Sequence, residues 1–571
     1  MAISAADGDE ICEAEAPLLD DVVPCSVDFN GRQSVRSKSG CWKSASFLIV
    51  VGVAERFAYY GISLNLVSYL TGNLGLPTAT AAAILNAWYG TSSLLPILGA
   101  YVADAFSGRF RMISASCVLY IAALGFLTLS ASLNPYSSSQ CRQSSPTSRA
   151  CSSSKLELVF FFVSFFSVAF AQAGYLPCLQ AFAVDQFDEE DESENRAKGS
   201  FFNWWNCFST AGILAPLLAL AYIQENLSWE LGFGIPAVTM CFSLAVFLAG
   251  IRTYRFLKTC DGGSNPFVQI YRVFARAAAK NRRVTRVTKE ETCDDTISDR
   301  GAHIGFLDKA LLEPDGLTTG DVEDAKSILK LAPIWCSCLG YTIIYAQPST
   351  LFTKQAATLN RHITSAFQIP AASLQHCFIG GSIIISLTIY DRVLVPVARS
   401  ITKRPSGIST LQRVGTGLAL SLVSIVFAAA VERRRLEIAR DHGLADEPQA
   451  VVPMSVWWLA PQYVLSGVAD AFAMVGLQEF FYDQVPSELS SVGLALYISI
   501  LGTGNLVSSF LVSTIQSVTA GNGREGWFSD NLNRAHLDYF YWLLAGLSVA
   551  GLAAFVCSTG SYIYRTRAVV S

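Results

Sequence analysis

The chain has 571 residues, of which 51% are hydrophobic and only 15% charged. Soluble domains carry roughly 25% charged residues, so this composition excludes one, and repeated apolar runs of about 20 residues read as a polytopic helical membrane protein. The formal net charge of −4 argues against nucleic acid binding.

Residues 1–42 are polar and acidic, without the basic start and apolar core of a cleavable signal, and read as a cytoplasmic tail. Within it Glu13-Ala-Glu-Ala-Pro-Leu-Leu19 loosely resembles an acidic di-leucine sorting signal, with imperfect spacing. Twelve apolar spans follow, at 44–70, 81–105, 111–133, 156–183, 201–222, 230–252, 326–347, 371–396, 411–431, 455–482, 489–515 and 537–563. They divide the chain into a six-helix bundle over 43–252, a cytoplasmic linker over 253–325, a second bundle over 326–563 and a short cytoplasmic tail over 564–571.

The first span contains Ala54-Glu-Arg-Phe-Ala-Tyr-Tyr-Gly61. Glu55 and Tyr59, and likewise Arg56 and Tyr60, are four residues apart and share a helical face. A charge at membrane depth costs roughly 2.5–3.5 kcal/mol on insertion scales unless it faces protein or water. The group is therefore a candidate lining for a solute path; an ion pair locking two helices accounts for the same residues. Glu479, in the tenth span, is a second intramembrane carboxylate whose proton affinity depends on its surroundings. Asp470, nine residues earlier, faces the other way and reads as a helix contact.

The linker holds Arg272, Arg276, Lys280, Arg282, Arg283, Arg286 and Lys289, a cluster that belongs in the cytoplasm by the positive-inside rule. Phe267–Arg283 has the spacing of an amphipathic basic helix able to lie on the membrane, and a solvated linker fits equally. Arg109 and Arg111 after span two, and Arg399, Lys403, Arg404 and Arg413 between spans eight and nine, also fall inside, with both termini. Arg433, Arg434, Arg435 and Arg440, between spans nine and ten, dissent.

The 15 cysteines are mostly scattered through apolar runs; only Cys141 and Cys151 share a polar loop, where they could bridge if it is exofacial. No Cys/His cluster, catalytic triad, phosphate loop or dinucleotide fingerprint occurs, so an enzyme, a metal or a cofactor is not expected.

Several segments in order resemble the proton-coupled oligopeptide transporter family of the major facilitator superfamily, in its plant nitrate/peptide branch. They are Glu55-Arg-Phe-Ala-Tyr-Tyr-Gly-Ile62, Ala103-Asp-Ala-Phe-Ser-Gly-Arg-Phe-Arg111, Pro177-Cys-Leu-Gln-Ala-Phe-Ala-Val-Asp-Gln-Phe-Asp188 and Ser200-Phe-Phe-Asn-Trp-Trp205 in the first half. The second half continues with Leu331-Ala-Pro-Ile-Trp335, Tyr390-Asp-Arg-Val-Leu-Val-Pro396 and Gly476-Leu-Gln-Glu-Phe-Phe-Tyr-Asp-Gln-Val-Pro486. The resemblance, over about residues 43–560, implies an all-α integral membrane fold of twelve transmembrane helices in two six-helix bundles. It also implies alternating access around a site between the halves, moving a small polar or anionic solute with protons. Arg56 would hold the solute's negative group, with Tyr59, Tyr60, Asn86, Tyr345 and Gln347 shaping specificity. Gln355, Trp88 and Asn203 to Trp205 are further candidate linings. Glu55 and Glu479 would take protons, and Asp104, Gly108, Arg109 and Arg111 would form the gating turn.

The chain departs from the family where Gly52 replaces an acid three residues before Glu55 and Leu176 replaces a lysine before Pro177-Cys178. Tyr345 stands in the place of a nitrate-binding histidine, and Met112 in that of a phosphorylatable threonine. The expectation is thus a proton-coupled carrier of nitrate, short peptides or other plant metabolites, on the plasma or vacuolar membrane. Its partners are the solute, protons and the lipid bilayer; the sequence sets no oligomeric state. An uncoupled facilitator or exporter, or a transport-inactive sensor or scaffold, are the alternatives.

Overall fold

The computed structural model describes residues 22–133, 155–257, 319–519 and 526–562 apart from breaks of one to three residues, together with 270, 272–277 and 307. Twelve long helices follow the apolar runs. In the first half they are α1 (Cys41–Ser63), α2 (Thr78–Val102), α3 (Arg109–Leu133), α4 (Lys155–Val184), α5 (Glu192–Asn226) and α6 (Trp229–Ala249). The second half has α7, in two pieces at Thr319–Ser337 and Leu339–Tyr345, then α8 (Ala371–Ile389), α9 (Thr410–Asp441), α10 (Ala460–Asp483), α11 (Ser490–Thr519) and α12 (Leu537–Gly560). Among the described residues ten helices are long and apolar enough to cross a membrane unaided, and the two-piece α7, bent by 48°, makes an eleventh. The remaining one, α2, is diluted by Asn86, Tyr89, Thr91, Ser92 and Ser93.

Lipid leaves backbone groups no outside partner, so each span satisfies its own as a helix. Polar residues set the ends. Asp191 caps α5 by accepting from the Ser193 and Glu194 amides, Ser228 caps α6, and Ser409 with Gln412 forms a capping box on α9. These caps explain why α5 starts nine residues before the apolar run expected at 201. α9 continues to Asp441, so Arg433–Arg440 form helix rather than the expected loop.

One core, spanning Leu48, Trp88, Phe165 and Phe233, fills the first bundle, and two cores around Phe352 and Phe480 fill the second. The ends of α4 and α6 meet the start of α1, through Cys41 N–H to Gln186 O (2.7 Å) and Gly40 N–H to Thr253 O (2.9 Å). Tyr562, after α12, packs on Phe480 and bonds Gln484 at the end of α10. Both ends of the bundle-forming chain thus lie on one face, called here the tail face.

Part of the expected tail is ordered. Strands β1 (Val22–Val27) and β2 (Gln33–Val35) form a hairpin, and β1 also pairs antiparallel with β3 (Phe256–Leu257), in the order β2-β1-β3. Asp28 Oδ1 closes the turn by accepting from the Asn30 and Arg32 amides (both 2.9 Å). Arg36 then pairs with Asp188, Asp191 (3.6 Å) and Glu194 (3.5 Å). Buried Arg255 grips Glu194 in a fork (2.7 and 3.1 Å) and Ser39 O (2.7 Å). The di-leucine segment and Cys141 with Cys151 lie outside the described residues. Of the amphipathic linker helix, 272–277 are described as helical, with Val273 and Ala277 buried in one cluster with Leu307, Val322 and Ala325. Val273 and Ala277 there pack on protein.

Candidate transport site

α1 brings Glu55, Arg56, Tyr59 and Tyr60 into the bundle interior. Glu55 is fully buried; its Oε2 accepts from Arg56 Nε (2.6 Å) and its Oε1 from Gln172 Nε2 of α4 (3.2 Å). Arg56 lies over the rings of Tyr59 (5.5 Å) and Tyr60 (6.0 Å), and its Nη2 has no hydrogen-bond partner among the described residues. Tyr59 stacks on Trp88 of α2 (4.7 Å), itself anchored by Nε1–H to Phe165 O (3.1 Å). From the second half, the phenols of Tyr345 and Tyr497 lie close enough to Arg56 and Tyr60 to interact electrostatically. Tyr345 of α7 thus joins the α1 group. The Asn86 side chain lies outside the described ones.

The other expected site residues sit elsewhere. Gln347 is fully buried and donates to Ile343 O (2.7 Å) and Ser508 Oγ of α11 (3.0 Å). Gln355 donates to Glu432 (2.8 Å) and accepts from Gln462 (3.2 Å), a network internal to the second half. Glu479 faces Arg413 (3.8 Å), not Arg56. Arg413 was expected in a loop, but it lies in the first turn of α9 at 3% exposure, donating to Asn203 Oδ1 (2.6 Å) and covering the Tyr390 ring (4.1 Å). The candidate charges thus lie in two clusters, Glu55–Arg56 and Arg413–Glu479.

At the tail face the halves are bonded together. After α2, a π-helical turn over Ala103–Ser107 ends at Gly108, whose φ of +75° strains any residue with a Cβ. The turn aims Arg109 at Asp185, at Asp104 Oδ1 (3.2 Å) and, across the interface, at Ser491 Oγ (3.0 Å). Asp104 Oδ2 accepts from the Val492 amide near the start of α11 (3.1 Å), and Tyr482 Oη donates to Asp185 (2.7 Å). Lys198 pairs with Asp483 (2.5 Å), and Asp391 accepts from Ser200, Asn203 and Trp204 (2.8–3.1 Å). Arg111, by contrast, is exposed.

Gln172, Tyr497, Asp185, Lys198 and Asp391 escaped the sequence reading. Gln172 had a signal as an amide inside an apolar run, and Asp185 and Asp391 stood within the segments that carry the family resemblance.

Residues 110–528 match the family model described as the POT family. The chain is 53% identical over 569 residues to NRT1/PTR FAMILY 5.10 of Arabidopsis thaliana, covering 99% of both chains. It belongs to the POT family. It is also 50% identical over 562 residues to NRT1/PTR FAMILY 5.14 of Arabidopsis thaliana, covering 97% of this chain and 98% of that one. Among solved structures it is similar to an auto-inhibited POT family peptide transporter, with TM-score 0.59 and 20% identity over 92% of this chain and 99% of that chain. It is likewise similar to PepTSo, with TM-score 0.59 and 18% identity over 91% of this chain and 98% of that chain. These share the fold, twelve helices in two bundles. The chain is a multi-span membrane transporter and not an enzyme.

Within this POT family chain, the missing acid at Gly52 has a steric counterpart. A Cβ on Gly52 would lie 2.7 Å from Cη2 of Trp205, a ring 4% exposed, so the space of a longer side chain is already filled.

Proposed function

We propose that this transporter is a proton-coupled secondary carrier of a small polar or anionic solute, working by alternating access. The solute is nitrate, a short peptide or another plant metabolite. The observation that carries the reading is the Arg56 guanidinium, half-buried beside Glu55, with Nη2 unbonded among the described residues. A guanidinium stays charged and offers a planar fork to nitrate or carboxylate. Protonating Glu55 removes the charge that occupies Arg56 Nε, so proton and solute uptake favour each other at one pair. Glu479 and Arg413 repeat the arrangement on the second half.

The bonds from Arg109, Lys198 and Asp391 describe a carrier shut at the tail face, which opens when Asp104, Asp185, Asp483 and Ser491 exchange these partners. That face is placed in the cytoplasm, with both termini, and the membrane is the plasma or vacuolar one. Gly52 and Leu176 favour one second reading, an uncoupled facilitator or exporter, because the chain has neither the extra acid nor the lysine.

Oocytes expressing the chain, given labelled nitrate or labelled dialanine with and without an inward proton gradient, test this. Uptake rises with the gradient and vanishes in Arg56→Ala at unchanged surface abundance. Uptake that ignores the gradient selects the facilitator, equal uptake by Arg56→Ala removes Arg56 from the site, and no uptake of either probe selects a transport-inactive sensor or scaffold or a different solute.

A further inference from the structure

The acids within the spans are not treated alike. Glu55, Glu432 and Glu479 each face an arginine, at 2.6, 2.7 and 3.8 Å. Asp470 of α10, 6% exposed, has a phenol instead: Tyr341 Oη–H of α7 donates to its Oδ1 (2.7 Å). The groups facing it are Tyr341 and Tyr345 from α7 and Tyr497 from α11, with Ser421 of α9 and Ser466 of its own helix nearby, and no cation among them. Tyr341, Tyr345, Ser421, Ser466 and Asp470 line one small cavity of about 10 Å³. An unpaired carboxylate inside a membrane bundle is costly, whereas a carboxylic acid hydrogen-bonded to a phenol is not. The cavity has room for at most one water molecule beside the carboxyl.

We propose that Asp470 is a proton-binding site of this carrier. The carboxylate takes one proton from a solvent hydronium ion on Oδ2, releasing water, while Oδ1 keeps the Tyr341 hydrogen bond. No other bond forms or breaks. The second half thereby provides a titrating acid in a chain whose first half has Gly52 where the family has one. Proton binding stands on the geometry alone; its coupling to solute rests on the carrier reading above.

Infrared spectra of the purified full chain, recorded from acid to alkaline pH, test proton binding without any solute. A protonated-carboxyl band that grows with acid is lost in Asp470→Asn and shifts in frequency and midpoint in Tyr341→Phe. Spectra of Asp470→Asn that superimpose on wild type overturn the proposal. If that variant does not fold, Tyr341→Phe decides, and an unmoved band overturns it. In vesicles with a proton gradient, Asp470→Asn loses gradient-driven accumulation of labelled nitrate or dialanine, and accumulation equal to wild type overturns the coupling. Counterflow of the two probes by the wild-type chain keeps the readings apart: its absence counts against the carrier while the infrared result still decides the proton site.

Discussion

Trp205 is the residue whose role no reading of the first span reveals. An ionisable residue in an apolar run is conspicuous because lipid makes it expensive, so Glu55, Arg56 and Glu479 were legible. Their partners were not, since Arg413, Gln172 and Tyr497 come from other helices and only the packing assigns them. Gly52 was read as a lost charge, and the structure adds that the Trp205 ring fills its place. Gly52→Glu should therefore destabilise the first bundle by about 1–3 kcal/mol through overpacking alone, with an added charge cost, and Trp205→Ala in the same chain should recover much of it. Thermal unfolding of the purified variants measures both, and a Gly52→Glu protein as stable as wild type defeats the steric explanation. Arg435 makes a parallel case. Its charge looked misplaced by the positive-inside rule, yet it is fully buried and forked on Glu432 (2.9 and 2.7 Å), with Asn533 Oδ1 at 2.9 Å. Arg435→Met should cost about 3–5 kcal/mol by stranding Glu432, and Glu432→Gln beside it should restore most of that loss; equal stability of single and double variants defeats the pairing account.

At the scale of elements, span length in lipid is dictated by bilayer thickness, which is why all twelve helices were legible and their ends were not. Ends answer to caps and local charge pairs instead. α5 begins at its Asp191 cap, and α9 outruns its apolar stretch because Glu432, Arg434, Arg435 and Glu437 pair along the helix. The hairpin was written in Val22–Val27 and the Asp28–Gly31 turn, but a polar, acidic context masked it. Asp191 also carries the pH dependence of this region. Hydrogen bonds from Ser193 Oγ and the Glu194 amide hold its carboxyl below the usual carboxylate range. Its contribution is therefore present above the unfolded-state pKa of about 3.9 and lost as pH falls through the lower folded value. Asp191→Ala should cost about 1 kcal/mol at neutral pH and progressively less in acid. A stability difference from wild type that stays constant down to strongly acidic pH refutes the capping role.

For the whole molecule, the two bundles and their order were legible from span count and the linker, whereas the conformational state was not. State is a property of contacts between halves, and these join residues far apart in sequence, such as Arg109 with Ser491 and Lys198 with Asp483. Arg109 is the best placed to govern it, because it is nearly buried and binds both its own half, at Asp104 and Asp185, and the other. Burial shields these pairs from salt, so ionic strength should leave the closure largely intact. Removing the guanidinium strands two carboxylates at roughly 3 kcal/mol or more, and they relax by parting from Ser491, Val492 and Tyr482. That energy corresponds to roughly a hundredfold shift from the closed toward the open tail face. Lysine does not substitute, since a point charge on a flexible stem cannot reach Asp104, Asp185 and Ser491 together. Spin labels at exposed Phe106 and Glu488, on opposite sides of this interface, read the shift directly. Their distance distribution should lengthen in Arg109→Ala and in Arg109→Lys alike, and an unchanged distribution in both variants would show that Lys198 and Asp391 hold the face shut without Arg109.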